Sequence, residues 1–404
     1  MRRFVLPFDN ATIIAGMAFL LLPVAVLAPL GIAAVAGAAA ALVLLRGLIP
    51  PRRWPPVDRT TLIAVGLFVL WTAVTTFWSL QPGRSIAGSL RVGAICFGGM
   101  ILVATARNLD TSQRQRVSNG LLFGTLIGAA LLVIDLLTNI GINRLVVDDP
   151  VGDPIKMLNR AGSVVAILVW PLAIVVGRRR QSGGVISLLI ATAAALPLFE
   201  PVVPLIAFFA ALAIFTVSLW RPSAGTNALI AGLLALMLAM PALPEVAPRI
   251  DAALTAKGVN ENSVSHRLGI WAFSTGRALE KPLIGWGMAT ARAVPGGRDN
   301  VLILGEPNAD APAIPLHPHN AFVQIWLEAG LPALLLAAFV VLRALQCIPG
   351  NAAGRFEAAA GLATATALLV VANLSYGIWQ GWWLCFIWLV VALVAALVQR
   401  PAAP

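Results

Sequence analysis

The sequence predicts an all-α integral membrane protein of about twelve transmembrane helices, with a long loop between helices 9 and 10. Three observations predict it. The chain of 404 residues is 59% hydrophobic and only 11% charged, whereas soluble domains are about a quarter charged. Apolar runs long enough to cross a hydrocarbon core of about 30 Å recur along nearly its whole length. Backbone groups in lipid must be satisfied internally, so repeated runs of this kind imply a helical bundle. The third observation is that charge sorts by loop, as set out below.

Twelve spans are expected near residues 11–29, 30–48, 61–80, 86–106, 118–139, 158–177, 183–199, 201–219, 225–242, 320–345, 357–375 and 378–399. The leading MRRFVLPFDN lacks a small-residue cleavage site at the right distance, so it reads as the approach to a first span and not as a removed signal. Pro29–Gly31 and Glu200–Pro201 mark tight hairpins between spans where the apolar signal hardly dips. The chain then divides into 1–242 (helices 1–9), 243–319 (a loop with short helices) and 320–404 (helices 10–12). It shows no internal repeat and no soluble second domain. Cys96, Cys347 and Cys385 have no metal-like spacing and are expected to be unpaired.

The net charge of +11 comes almost wholly from Arg, because Lys occurs only at Lys156, Lys257 and Lys281. In a soluble chain that excess would suggest nucleic acid, which is not expected as a partner here. Instead the N-terminus and the loops after even-numbered spans hold sixteen Arg against Asp9, Asp58, Asp110 and Glu357. By the positive-inside rule both termini are cytoplasmic, and segment 243–319 lies on the opposite face. One miscounted span would scramble this alternation.

A connection as long as 243–319 is usually functional or disordered. The stretch VSHRLGIWAFSTGRALEKPLIGWG at 264–287 reads as ordered. It predicts a helix capped by Ser263 or Ser265, stopping near Lys281–Pro282 and turning at Gly285 and Gly287. All three histidines of the chain, His266, His317 and His319, fall in this loop.

His319 precedes an apolar run of about 25 residues, long enough to span a membrane, and so sits at a helix N-terminus. Free N–H groups there favour an anion and disfavour an imidazolium, which keeps His319 neutral and able to accept a proton. The plainer reading is that His319 and Asn320 cap the helix. His317 reads as a solvated loop histidine or a substrate contact, and His317-x-His319 lacks the carboxylate or Cys partner that a metal site needs. Arg84 and Arg91 bracket the start of span 4 on one helix face, and Arg160 begins span 6. With Arg267 they either converge on one cavity suited to a pyrophosphate or snorkel to headgroups. The acids of DDPVGD at 148–153 read as a short solvated loop, and the Trp of WQGWW at 379–383 as an interfacial belt. Tyr376 has no assigned role.

These residues carry a resemblance. The chain resembles the O-antigen ligase family of bacterial envelope glycosyltransferases, which includes O-antigen and exopolysaccharide polymerases. His319-Asn320, nine residues and then Gly330 is similar to the family's ligase motif, although Ala333 stands where Gly, Thr or Tyr is expected. Arg267, Trp271 and PLIGWG at 282–287 resemble a second family run, and FWSLQPGRSI at 77–86 resembles a third. The resemblance implies a GT-C-like inner-membrane enzyme whose active site faces the periplasm. It implies transfer of a glycan from undecaprenyl pyrophosphate to an acceptor hydroxyl, without nucleotide sugar, cofactor or metal. It implies His319 as the catalytic residue, Arg267 as a pyrophosphate ligand and Arg160 as a second one. Arg84, Arg91, Asn320 and His317 are the expected substrate-binding residues. The expected acceptor is lipid A–core; the alternative is a polymerase using a second lipid-linked glycan. A secondary transporter is the distant alternative, but such folds show related halves around a midplane site and this chain shows none.

Overall fold

A computed structural model describes residues 9–48, 54–146, 154–179, 182–199, 201–257, 262–303 and 306–399. In chain order the helices are α1 (Asn10–Leu27), α2 (Ile32–Leu48), α3 (Arg59–Val74), α4 (Pro82–Arg107) and α5 (Thr111–Leu137). There follow α6 (Gly141–Val146), α7 (Pro154–Arg178), α8 (Ser182–Ala195), α9 (Val203–Trp220) and α10 (Pro222–Ala239). The last five are α11 (Leu243–Ala256), α12 (Asn262–Glu280), α13 (Ala321–Asn351), α14 (Arg355–Leu374) and α15 (Gly381–Val398). Every expected span is a helix. Among the described residues eleven helical stretches are long and apolar enough to cross a membrane, and the expected seventh, Ser182–Leu198, is a shorter apolar one. The chain is an all-α multi-span membrane protein. The acidic stretch 148–153, residue Glu200 and the segment 1–8 lie outside the described residues.

Local chemistry sets where these helices begin. Asp9 and Asp58 accept from the backbone N–H groups of Thr12 and Thr61 at 2.8 and 2.9 Å. Asp110 and Gln113 form a reciprocal capping box at the head of α5. Each satisfies donors that a helix start leaves without partners. Pro29–Gly31 forms the expected tight turn between α1 and α2. The three cysteines are free.

Two features differ from the expectation. Helix α10 continues through a 3-10 turn (Met240–Ala242) into α11, so the helical stretch from Pro222 runs to Ala256 and not to 242. Ser263 and Ser265 lie inside α12 instead of capping it. Beyond α12, strands β1 (Asn300–Ile303) and β2 (Glu306–Pro312) pair antiparallel as a hairpin, a small β element in an otherwise helical chain.

The feature that positions the site is a break in α13. Gly330 adopts φ 73° and ψ −174°, which divides the helix into 321–329 and 331–351. Residues 321–330 are all buried. Irregular backbone at membrane depth is tolerated only where protein satisfies it, and here protein does. The carbonyls of Leu327 and Glu328 accept from Trp286 and Gly287 N–H at 3.0 and 2.8 Å. The Ala329 carbonyl accepts from the Trp71 indole at 2.7 Å, and Leu331 N–H donates to the Pro282 carbonyl at 2.9 Å. The turn after α12 approaches this closely because Gly285 and Gly287 have φ of 68° and 108°. Any Cβ on Gly285 would lie 2.5 Å from the Glu328 carbonyl.

Gly330→Ala is therefore expected to destabilise the fold. The backbone region it occupies is essentially restricted to glycine and costs other residues about 1–3 kcal/mol, and the new Cβ would lie 2.2 Å from the Leu283 carbonyl oxygen. Thermal unfolding of the purified protein in detergent should show a lowered midpoint; an unchanged midpoint would contradict the structural role of the break.

Candidate functional site

The buried half-helix 321–329 starts at Asn320, whose side chain accepts from Phe322 and Val323 N–H at 3.1 and 3.0 Å. Asn320 is thus the N-cap, with its carbonyl-type oxygen committed to the helix. His319 precedes it at φ 55°, a left-handed backbone rare outside glycine. That conformation turns the His319 ring toward the segment 374–380 between α14 and α15. Its Nδ1 lies 2.5 Å from the Ser375 carbonyl. A carbonyl only accepts, so Nδ1 carries the hydrogen and, in the neutral ring, Nε2 holds the lone pair.

His317 sits beside it, with ring centroids 4.2 Å apart. It is buried, and the expectation of a solvated loop histidine does not hold. Its Nδ1 lies 3.2 Å from the backbone N–H of His319 and its Nε2 lies 3.2 Å from that of Gly377. Both neighbours are donors, so a protonated ring would oppose N–H to N–H. A neutral ring accepts one of the two at a time. Burial, then the nearby His319, pushes the His317 pKa down to about 3. Burial likewise brings His319 to about 4, opposed by the Ser375 carbonyl and assisted by Arg267 and His266.

Arg267, on α12, donates from Nε to the Leu374 carbonyl at 3.1 Å and from Nη1 to the Ser263 carbonyl at 3.0 Å and the Ser263 hydroxyl. Burial lowers its pKa, but a guanidinium stays charged at neutral pH. Arg160, on α7, is exposed, with its guanidinium 5.7 Å from the Trp382 ring centroid. Tyr376, for which the sequence suggested no role, packs edge-on against Trp382 and shares a 3.1 Å hydrogen bond with Ser163. Trp379, Trp382 and Trp383 are buried at 7, 4 and 0% exposure, so they are core and not an interfacial belt.

On the other side of His317 opens a cavity of about 500 Å³. Arg84 and Arg91 line it, joined by Arg292 and Arg298 from the loop. The expected convergence of Arg84, Arg91, Arg160 and Arg267 on one cavity is therefore only half met. Arg267 is drawn off by backbone carbonyls, and Arg160 by an aromatic face. The floor is Glu328, 1% exposed. Its carboxylate accepts from Trp379 Nε1 at 2.7 Å, Gln324 Nε2 at 3.1 Å and the N–H groups of Ala291 (3.3 Å) and Ala289. With that carboxylate fully engaged, the cavity presents four guanidiniums to whatever enters.

With this geometry in place, comparison with known proteins is informative. Residues 188–338 match the family model described as O-antigen ligase, a stretch that holds Arg267, His319, Asn320 and Gly330. A protein of Rickettsia conorii named as a polysaccharide ligase is 25% identical over 329 residues, covering 81% of this chain and 77% of its own. Over residues 188–338 the chain is similar to the O-antigen ligase family, and over most of its length to proteins named as polysaccharide ligases. A similarly named protein of Rickettsia felis is 25% identical over 336 residues, 81% of this chain and 78% of its own. Another, from Rickettsia prowazekii, is 34% identical over 153 residues, 37% of each chain.

Sequence reasoning passed over three residues of this candidate site: Glu328, Arg292 and Arg298. For Glu328 the signal was present, since a lone carboxylate within an apolar run marks a paired or functional group. For Arg292 and Arg298 there was none, because nothing in a loop's composition tells which arginines fold back over a helix start. Ala333, where the family motif departs, is fully buried behind the break. It is a packing position and touches neither histidine's ring bonds nor the cavity wall.

Two outcomes follow from these groups. Glu328→Gln replaces one acceptor oxygen by an NH2 that faces a donor. It should cost about 1.5–3 kcal/mol, the range for charge-assisted bonds, and speed hydrogen exchange in 285–298; unaltered exchange there would remove Glu328 from its positioning role. His319 and His317 have folded-state pKa values below the ordinary 6.5. The unfolded chain therefore binds protons first as pH falls, and stability is lost between about pH 6.5 and 3. A midpoint of unfolding that falls across that window in wild type, and falls less in His319→Gln, is the expected result.

Proposed function

We propose that the chain transfers a glycan from undecaprenyl pyrophosphate to an acceptor hydroxyl at the periplasmic face of the inner membrane, and that the acceptor is lipid A–core. The observation that carries this reading is the His319 tautomer: the Ser375 carbonyl holds the proton on Nδ1 and leaves Nε2 as a base. Around it are the groups that such a reaction needs. The acceptor oxygen attacks the anomeric carbon as the carbon–oxygen bond to the diphosphate breaks, so the configuration inverts. The hydroxyl proton passes to Nε2 of His319, and the electron pair leaves with the diphosphate. General-base assistance of this kind contributes about 10²–10⁴-fold.

The leaving diphosphate is assigned to the His319 side. Arg267 is the primary ligand there, and Arg160 the second, with only one flat face engaged by Trp382. Guanidiniums preorganised by carbonyls need no rearrangement as charge develops, which is the economical form of electrostatic stabilisation. The cavity lined by Arg84, Arg91, Arg292 and Arg298 is assigned to the acceptor, with His317 between the two sides. Four cations around a polar void suit a saccharide that bears anionic groups. Asn320 acts through the helix it caps, and not as a substrate contact.

The test is a glycan analysis of the source bacterium lacking this gene, complemented with wild type, His319→Ala or Arg267→Lys. The null strain should accumulate polymer on undecaprenyl pyrophosphate and leave lipid A–core bare, with wild type restoring attachment. His319→Ala should lose at least about 100-fold in transfer. Arg267→Lys should stay impaired, because an ammonium cannot reproduce the guanidinium fork. Loss of the long polymer itself, with single repeat units still attached, would identify a polymerase instead. Unchanged glycans in every strain would overturn both readings.

A further inference from the structure

The end of the bundle away from the 374–380 turn holds a second cavity, of about 300 Å³, that the proposed reaction does not use. It runs between the ends of α4, α13, α14 and α15, with Met100, Leu368, Trp388 and Val394 among its walls. At its rim stand Arg107, Arg343 and Asp58. The Asp58 carboxylate is already held by the Thr61 N–H at 2.9 Å and hydroxyl at 2.7 Å. Neither Arg107 nor Arg343 has an ion-pair partner among the described residues. The Nε of Arg343 is buried without any hydrogen-bond partner there.

A buried guanidinium N–H beside an apolar trough is costly unless something anionic reaches it. Among the described residues the rim carries two positive charges against one negative, so a single phosphodiester brings these to neutrality. The trough below is walled mainly by apolar side chains, with Thr364 and Asn351 among them, and accepts a hydrocarbon chain. Basic pockets between transmembrane helices recognise lipid headgroups in this way.

We propose that this groove binds one molecule of an anionic phospholipid with a single phosphodiester, its phosphate between Arg107 and Arg343 and an acyl chain along the Met100–Val394 wall. Both the charge at the rim and the apolar wall are required: a free anion has no use for the trough, and a zwitterionic lipid places its own cation against the two arginines. The site is separate from the histidine end of the bundle and does not rest on the proposed reaction.

The experiment uses the purified chain, stripped of lipid in neutral detergent. It is titrated with dioleoylphosphatidylglycerol or dioleoylphosphatidylcholine in mixed micelles, with bound lipid counted by native mass spectrometry and the unfolding midpoint followed. One phosphatidylglycerol should be retained per chain, about tenfold tighter than phosphatidylcholine, the order expected of two guanidiniums near a headgroup. The double substitution Arg107→Gln/Arg343→Gln should abolish the preference. Ala395→Phe leaves both guanidiniums in place and blocks the trough, so it should lose the bound lipid while keeping the lipid-free midpoint. Inorganic phosphate should not raise the midpoint. Equal binding of the two lipids by wild type, a preference that survives the double substitution, or a full rise with phosphate alone would each overturn the proposal.

Discussion

Between Leu374, where α14 ends, and Gly381, where α15 begins, the Gln380 N–H donates to the Gly377 carbonyl at 3.1 Å, and other backbone groups of this partly buried turn take side-chain partners. That constraint shapes the whole histidine end of the bundle. The Leu374 carbonyl takes Arg267, the Ser375 carbonyl takes His319, the Gly377 N–H meets His317 and the Ile378 N–H donates to Gln324. Side chains from α12, the loop before α13 and α13 itself are fixed by the hydrogen-bonding needs of one short turn. Gly377 is glycine because the ring packs onto it: a Cβ there would lie 2.8 Å from the His317 ring.

The second support is the break at Gly330, which frees carbonyls that the 282–287 turn then satisfies. Glu328 extends this joint sideways, since its carboxylate gathers N–H groups from the 289–291 backbone while its own carbonyl receives Gly287. The two supports meet at Trp379, whose backbone carbonyl lies 3.4 Å from Arg91 and whose indole reaches Glu328. Both walls of the cavity therefore hang on groups that are themselves buried and bonded, which is what rigid placement of charge in a low-dielectric region requires.

Much of this was legible in the sequence, and the reasons are physical. Span lengths follow from hydropathy, so the bundle could be read along one dimension. The positions of His319 at a helix start and of turns at Gly285 and Gly287 were readable for the same reason, since each is local. What could not be read is non-local. A continuous apolar run gives no sign that Gly330 breaks the helix at positive φ, because a glycine is equally at home within a transmembrane helix. Trp379, Trp382 and Trp383 look like an interfacial belt by composition, and only tertiary packing makes them core. The division of the arginines between two sides of His317 depends on which carbonyls lie within reach, a property of the assembled turn.

The lateness of that turn in the chain has a consequence for biogenesis. Residues are delivered to the membrane in order, and the carbonyls that orient His319 and Arg267 belong to Ser375 and Leu374, 56 and 107 residues further along. Until α14 and the turn after it are inserted, the His319 Nδ1 and the Arg267 Nε lack the carbonyls that hold them. The histidine end of the bundle is thus aligned only after that turn has arrived.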